Sequence, residues 1–124
     1  KPLARIVAYV DVAQAPEWFT TAPIKAVKKV LKKTDLTIGD IDLFEINEAF
    51  SAVALSAIRE LGLDPLKVNV HGGAVALGHP IGASGARILT TLLYAMRAYQ
   101  KQRGLASLCI GGGEANAMII ESVL

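Results

Sequence analysis

The placement of glycine is what most limits how this chain can fold. Of its 11 glycines, five fall in residues 72–85 (GGAVALGHPIGASG) and three more form Gly111-Gly112-Gly113. Such concentrations mark backbone that bends sharply or lies close against another group. Each run follows a stretch of strand-like composition, KVNVH (67–71) and LASLCI (105–110). Two further strands are expected at 3–13 (LARIVAYVDVA), which alternates and is rich in Val and Ile, and at 42–46 (DLFEI). A last one is expected at 115–123. Between them lie helical patterns: 24–33, with Ile24, Val27 and Leu31 on one side and Lys25, Lys28, Lys29, Lys32 and Lys33 on the other; 49–61, closed by Gly62; and 84–103, ended by Gly104. Residues 16–23, holding Trp18 and Phe19, and residues 34–40 read as connections. The five-lysine cluster reads as a solvated helix face.

The order βαβαβαββ is that of an α/β fold, with a mixed, mostly parallel five-stranded sheet covered by helices. The last two strands are close enough to pair antiparallel, which sets a mixed edge on the sheet. The 124 residues suit one domain. Apolar residues make up 52% and charged residues 19%, more apolar than the usual ~45–50% with ~25% charged. Part of the surface is therefore expected to be covered by something else. A chain that opens at Lys1 without Met reads as a processed chain or a piece of a longer one.

Composition also narrows the function. Thirteen basic against 11 acidic residues is too even for a nucleic-acid binder. No apolar run is long enough to span a membrane. The one cysteine, Cys109, has no partner for an internal disulfide, which fits a reducing, cytoplasmic setting. His71, His79 and Cys109 lack C-x-x-C or H-x-x-x-H spacing, so no metal site is expected. P-loop and G-x-G-x-x-G patterns are absent. Ser84 lacks the G-x-S-x-G frame of a serine nucleophile.

In a sheet of this kind ligands bind beyond the carboxyl ends of the strands. Asn47 and Glu48, His71 and His79, and Cys109 with the Gly111 turn all fall at those ends. Each alone has a plain explanation: a core thiol, a surface imidazole, a helix N-cap. Together they suggest thiol chemistry, in which an imidazole stabilises a thiolate that acts as nucleophile or moves a proton. The N–H groups of a glycine turn would stabilise an oxyanion. A generic anion site at the helix start at Ser84 is a separate possibility.

Asn47-Glu48-Ala49-Phe50, GGAVALGHPIGASGAR (72–87) and Cys109-Ile110-Gly111-Gly112-Gly113 are the residues by which the chain resembles the thiolases, in their C-terminal half. KPLARIV and APEWFTTAP are similar to the bacterial members that act on acetyl-CoA. The resemblance implies the second of two similar halves of an acyltransferase. The implied reaction is a reversible Claisen condensation of two acetyl-CoA to acetoacetyl-CoA and CoA. A longer-chain 3-ketoacyl-CoA thiolase is the alternative. It implies Cys109 as the acid/base at the α-carbon, and His79 as activator of a nucleophilic cysteine in the absent N-terminal half. Asn47 would fix an oxyanion-site water, Gly111 N–H would join a second oxyanion hole, and Ala49 and Phe50 would line the acyl pocket. Coenzyme A thioesters are substrates and no cofactor is implied. The expected partners are the N-terminal domain and further copies of the chain, as a homodimer or tetramer. Many relatives have Asn at His71 and Gly at Ala115, departures that leave the implied catalytic groups intact. With no nucleophile of its own, the isolated chain is expected to be inactive. The rival reading is a non-catalytic assembly domain.

Overall fold

A computed structural model describes residues 1–123. Four strands form one sheet: β1 (Ala4–Ala13), β2 (Leu43–Ile46), β3 (Arg103–Cys109) and β4 (Glu114–Ser122). Their order is β1-β4-β3-β2. β2 and β3 pair parallel, while β4 pairs antiparallel with both β1 and β3. Three strands thus run one way and β4 runs against them, so two of the three pairings are antiparallel and the sheet is mixed but not mostly parallel as expected. Two expectations change here. The antiparallel β3–β4 pair is present, but β4 lies inside the sheet rather than at its edge. β1, far away in sequence, closes on its other side.

The third expected strand, 67–71, is also not a strand, and the sheet has four strands rather than five. Only isolated parallel bridges, Phe44 to Val68 and Val70 to Gly72, mark the place. The cause is Asn69, which takes the left-handed conformation (φ 49°) that Asn tolerates better than most residues. Its side chain replaces the missing ladder: Oδ1 accepts from Ile46 N–H at 2.9 Å and Nδ2 donates to Ile46 C=O at 2.9 Å. A carboxamide thus caps the edge of β2 as a neighbouring peptide group would.

Helices cover both faces. α1 (Ala22–Thr34) and α2 (Ser51–Leu61) lie on one side, α4 (Ser84–Ala98) on the other, and the single turn α3 (Ala74–Leu77) precedes α4. The first face buries Val27, Val30, Phe44, Ile46, Val53 and Leu105; the second buries Leu43, Ile88, Leu92, Met96 and Ile120. α2 ends as expected, with Gly62 left-handed (φ 63°) and Leu63 N–H donating back to Ile58 C=O, a stop that favours glycine. α4 stops short of expectation, at Ala98. Gly104 does not end it but lies in β3, where a Cβ would fall 2.6 Å from Met96 Sδ and 2.8 Å from Leu92 Cδ1. That glycine lets α4 pack closely on the strand.

The lysines of α1 have a more definite task than solvation. Lys25, Lys29 and Lys33, each one turn apart, donate to the carbonyls of Ala13 (2.8 Å), Asp11 (2.7 Å) and Tyr9 (3.1 Å). They occupy the open edge of β1. No helix among the described residues is long and apolar enough to cross a membrane.

Candidate functional site

The ends of β2 and β3 set out the site. Asn47 follows β2 directly and is fully buried, with its N–H donating to Ser107 C=O at 2.9 Å. The parallel ladder is thereby extended one residue past Ile46. Glu48 next ties in the glycine-rich loop. Its carboxylate accepts from Val75 N–H at 3.0 Å and from Asn69 Nδ2 at 3.4 Å. Gly73 lies so close that a Cβ there would stand 2.7 Å from Glu48 Oε2. This clamp carries the chain through α3 to His79.

His79 and Asn47, 32 residues apart, meet. Asn47 Nδ2 is 3.4 Å from His79 Nδ1 and 3.5 Å from Nε2. A second contact orients the ring. Ser84 Oγ lies 2.5 Å from His79 Nδ1 and 3.1 Å from Pro80 C=O. The Pro80 carbonyl also accepts from Ala83 N–H at 2.8 Å and Ser84 N–H at 2.9 Å, so the Ser84 hydroxyl proton has two acceptors within reach. Ser84 engages Nδ1, which leaves Nε2 for a substrate or a nucleophile.

Behind Asn47 lies a buried ion pair. Arg87, on the first turn of α4, donates through Nη2 to Asn47 Oδ1 at 3.2 Å, and its Nη1 is 3.5 Å from Glu45 Oε2. Glu45 is 1% exposed, and neither carboxylate oxygen has a hydrogen-bond partner among the described residues. Burial pushes its carboxyl up to about 7, against the lowering effect of Arg87 and with some help from the Glu48 charge. The sequence analysis did not single out Glu45, Arg87 or Asn69, and weighed Ser84 as a nucleophile and as an anion-binding helix start, not as a partner of His79. One signal was present: a glutamate inside the otherwise apolar Leu43-Phe44-Glu45-Ile46, where a charge has no ready partner.

Cys109 ends β3 and is buried, paired with Ala115 of β4. It packs in the core on the α1/α2 face, whereas Arg87 approaches from α4. The thiol and the Asn47–His79 pair thus reach the same end of the sheet from neighbouring strands. Among the described residues no hydrogen bond joins them. Burial raises the Cys109 thiol above its ordinary range, so its resting form at neutral pH is the protonated acid. Gly111 is exposed in the β3–β4 turn, which is closed by Gly113 N–H to Ile110 C=O at 3.0 Å. Ala49 is half-buried. Phe50 is exposed, its ring meeting Phe19 edge-on at 6.2 Å. His71 stands apart from the site, its ring 5.6 Å from that of Tyr99. Among the described residues no three His, Cys, Asp or Glu side chains converge as metal ligands would.

The site is not enclosed by this chain. A cleft of about 260 Å³ lies between α4 and the strands, lined by Tyr9, Asp11, Ile88, Leu89, Leu108 and Met118. It does not include Asn47, His79 or Cys109. Phe50, Leu77, Ile81 and Ile110, on the segments beyond the strands, are all exposed.

Comparison with known proteins points one way. The family model described as the thiolase C-terminal domain matches residues 1–122. The chain is 56% identical over 120 residues to an acetyl-CoA acetyltransferase of Escherichia coli K12, covering 97% of this chain and 30% of that protein. It is 51% identical over 121 residues to a cytosolic acetyl-CoA acetyltransferase of Mus musculus, covering 98% and 30%. A solved human mitochondrial 3-ketoacyl-CoA thiolase in complex with CoA superposes with a TM-score of 0.97 at 44% identity, over 100% of this chain and 32% of that one. The chain therefore spans about three-tenths of the length of the relatives it matches.

Proposed function

We propose, from the premise that this chain belongs to the thiolase family as its C-terminal domain, that it is the C-terminal catalytic half of an acetyl-CoA acetyltransferase. The observation that carries this reading is the Asn47–His79 pair, with the ring held at Nδ1 by Ser84. An amide N–H and a ring nitrogen at one point suit a site that holds the oxygen of a thioester and serves a nucleophile.

In the condensation direction a cysteine of the N-terminal half carries the acetyl group as a thioester, after CoA has left. The Cys109 thiolate takes a proton from the α-carbon of a second acetyl-CoA. The resulting enolate carbon attacks the enzyme-bound acetyl group. Acetoacetyl-CoA forms and the thiolate of the N-terminal half is released. In reverse, the Cys109 thiol returns the proton to the departing acetyl-CoA carbanion. The raised Cys109 is ready for that direction, and condensation requires it first to be deprotonated. Asn47 holds a water in the oxyanion site with His79, Gly111 N–H belongs to the second oxyanion hole, and Ala49 and Phe50 line the acyl pocket. No metal or cofactor takes part. The N-terminal half covers the exposed Phe50, Leu77 and Ile81, and copies of the whole enzyme associate as a dimer or tetramer. The cytoplasm is the proposed compartment.

Sequence identity to acetyl-CoA acetyltransferases supports the acetyl preference. The likeness to a 3-ketoacyl-CoA thiolase supports a longer-chain substrate as the second reading. Acetoacetyl-CoA and 3-ketohexanoyl-CoA thiolysis, measured in a full-length thiolase carrying this segment, separates the two. His79→Ala and Cys109→Ala should each lower turnover by at least about 1,000-fold, on the scale of losing an acid/base or oxyanion group, with the fold retained. Folded variants with near-normal rates would refute the assignment. The 124-residue chain alone should release no acetyl-CoA from acetoacetyl-CoA and CoA.

A further inference from the structure

Asn47 can act on a bound oxygen only if its amide nitrogen, not its oxygen, faces the site. Both orientations of a carboxamide have the same shape, so packing alone does not choose between them. The neighbour behind it does. Arg87 Nη2 lies 3.2 Å from Asn47 Oδ1, and a guanidinium donates but never accepts. Turned over, the amide would set its NH2 against another donor in a place with no exposure, leaving both unsatisfied. Arg87 in turn meets the Glu45 carboxyl. Glu45 faces it at 3.5 Å, 1% exposed and with no hydrogen-bond donor on either oxygen.

We infer that Arg87, anchored by Glu45, is a positioning residue that fixes the orientation of the Asn47 amide and so aims its N–H donors at His79 and the oxyanion-site water. The row runs from β2 through α4 to the loop after β2 and then to the loop between α3 and α4: Glu45, Arg87, Asn47, His79. Ser84, three residues before Arg87 on α4, orients the same histidine from its other side. One helix turn thus sets both members of the pair. The inference rests on the role proposed for Asn47.

The test uses a full-length thiolase carrying this segment, with Arg87→Met, which keeps the apolar stem and removes the fork, and Arg87→Lys, which keeps the charge with a single point donor. Acetoacetyl-CoA thiolysis gives kcat and KM, and NMR follows the Asn47 side-chain amide pair. Arg87→Met should lower kcat at least tenfold and leave KM within threefold. The Asn47 amide signals should shift toward those of a free amide and exchange faster with water. Arg87→Lys should lie between. Folded Arg87→Met with unchanged kcat, or with unmoved Asn47 signals, would overturn the inference. If Arg87→Met does not fold, Arg87→Lys decides by the same two readings. A wild-type protein without thiolase turnover would instead sink the proposed function. The amide signals would then still show whether Arg87 holds Asn47.

Discussion

Glu45 is the residue whose charge the fold least accommodates. Its carboxyl is raised from 4.5 to about 7 because burial outweighs the attraction of Arg87. The folded state therefore holds this proton over a pH range where the unfolded chain has lost it. Stability from this group is fully present below about pH 4.5 and is lost as pH rises toward 7. The shift corresponds to roughly 3 kcal/mol at most. Urea unfolding from pH 4.5 to 8 should show wild type losing stability across that window relative to Glu45→Gln, which carries no titrating proton. Parallel curves for the two proteins would show that Glu45 ionises normally in the fold. At this scale the sequence was partly legible. Asn47, His79 and Cys109 were singled out because unusual side chains fell at strand ends beside glycine, and the fold brings Asn47 and His79 together. Arg87 and Ser84 were not, because their roles are contacts across the loop–helix junction that no spacing announces.

Among the elements, the two edges of the sheet are closed by side chains, one by the lysines of α1 and the other by Asn69. Open edges invite strand addition from another chain, and lysine is a common guard against it. Replacing Lys25, Lys29 and Lys33 together by Ala frees the carbonyls of Ala13, Asp11 and Tyr9. The triple variant should sediment as larger species than wild type at equal concentration. Its loss of stability should be about 1–2 kcal/mol, since each exposed hydrogen bond contributes roughly 0.5 kcal/mol. Identical sedimentation would mean that the edge needs no guard. The helical period of α1 was readable because its apolar and lysine faces separate cleanly. The end of α4 and the absence of a strand at 67–71 were not readable. Gly104 reads as a stop until Leu92 and Met96 are seen against it. KVNVH has strand composition, but Asn69 turns left-handed at its centre.

Across the whole molecule, the faces are unequally covered. α4 lies over β2 and β3, and the surface beside β1 and β4 is left as the cleft between Tyr9 and Leu89. With Tyr9, Phe50, Leu77 and Ile81 exposed as well, the isolated chain should self-associate. Sedimentation equilibrium at roughly tens of micromolar, a range set by ordinary weak affinities, tests this. A monomer throughout would show that these surfaces tolerate water. The excess of apolar residues suggested exposed apolar surface, and the fold shows it at Tyr9, Phe50, Leu77 and Ile81, places the sequence did not indicate. Three-dimensional order was harder to read than element order, since nothing local tells β4 to enter the sheet between β1 and β3.

That insertion has a consequence for how the domain comes off the ribosome. β1 is made first of the four strands and β4 last, yet among the described residues β4 is the only strand that pairs with β1. Ala4 pairs with Ser122, and Ala13 with Glu114. During synthesis β1 can gather only α1, whose lysines reach back to it within 24 residues or fewer. The inner side of β1 must wait until nearly the whole domain has emerged. A nascent chain halted before Glu114 would have β1 guarded on its outer edge and unpaired on its inner one. Completion of the sheet is thus tied to completion of translation through this segment.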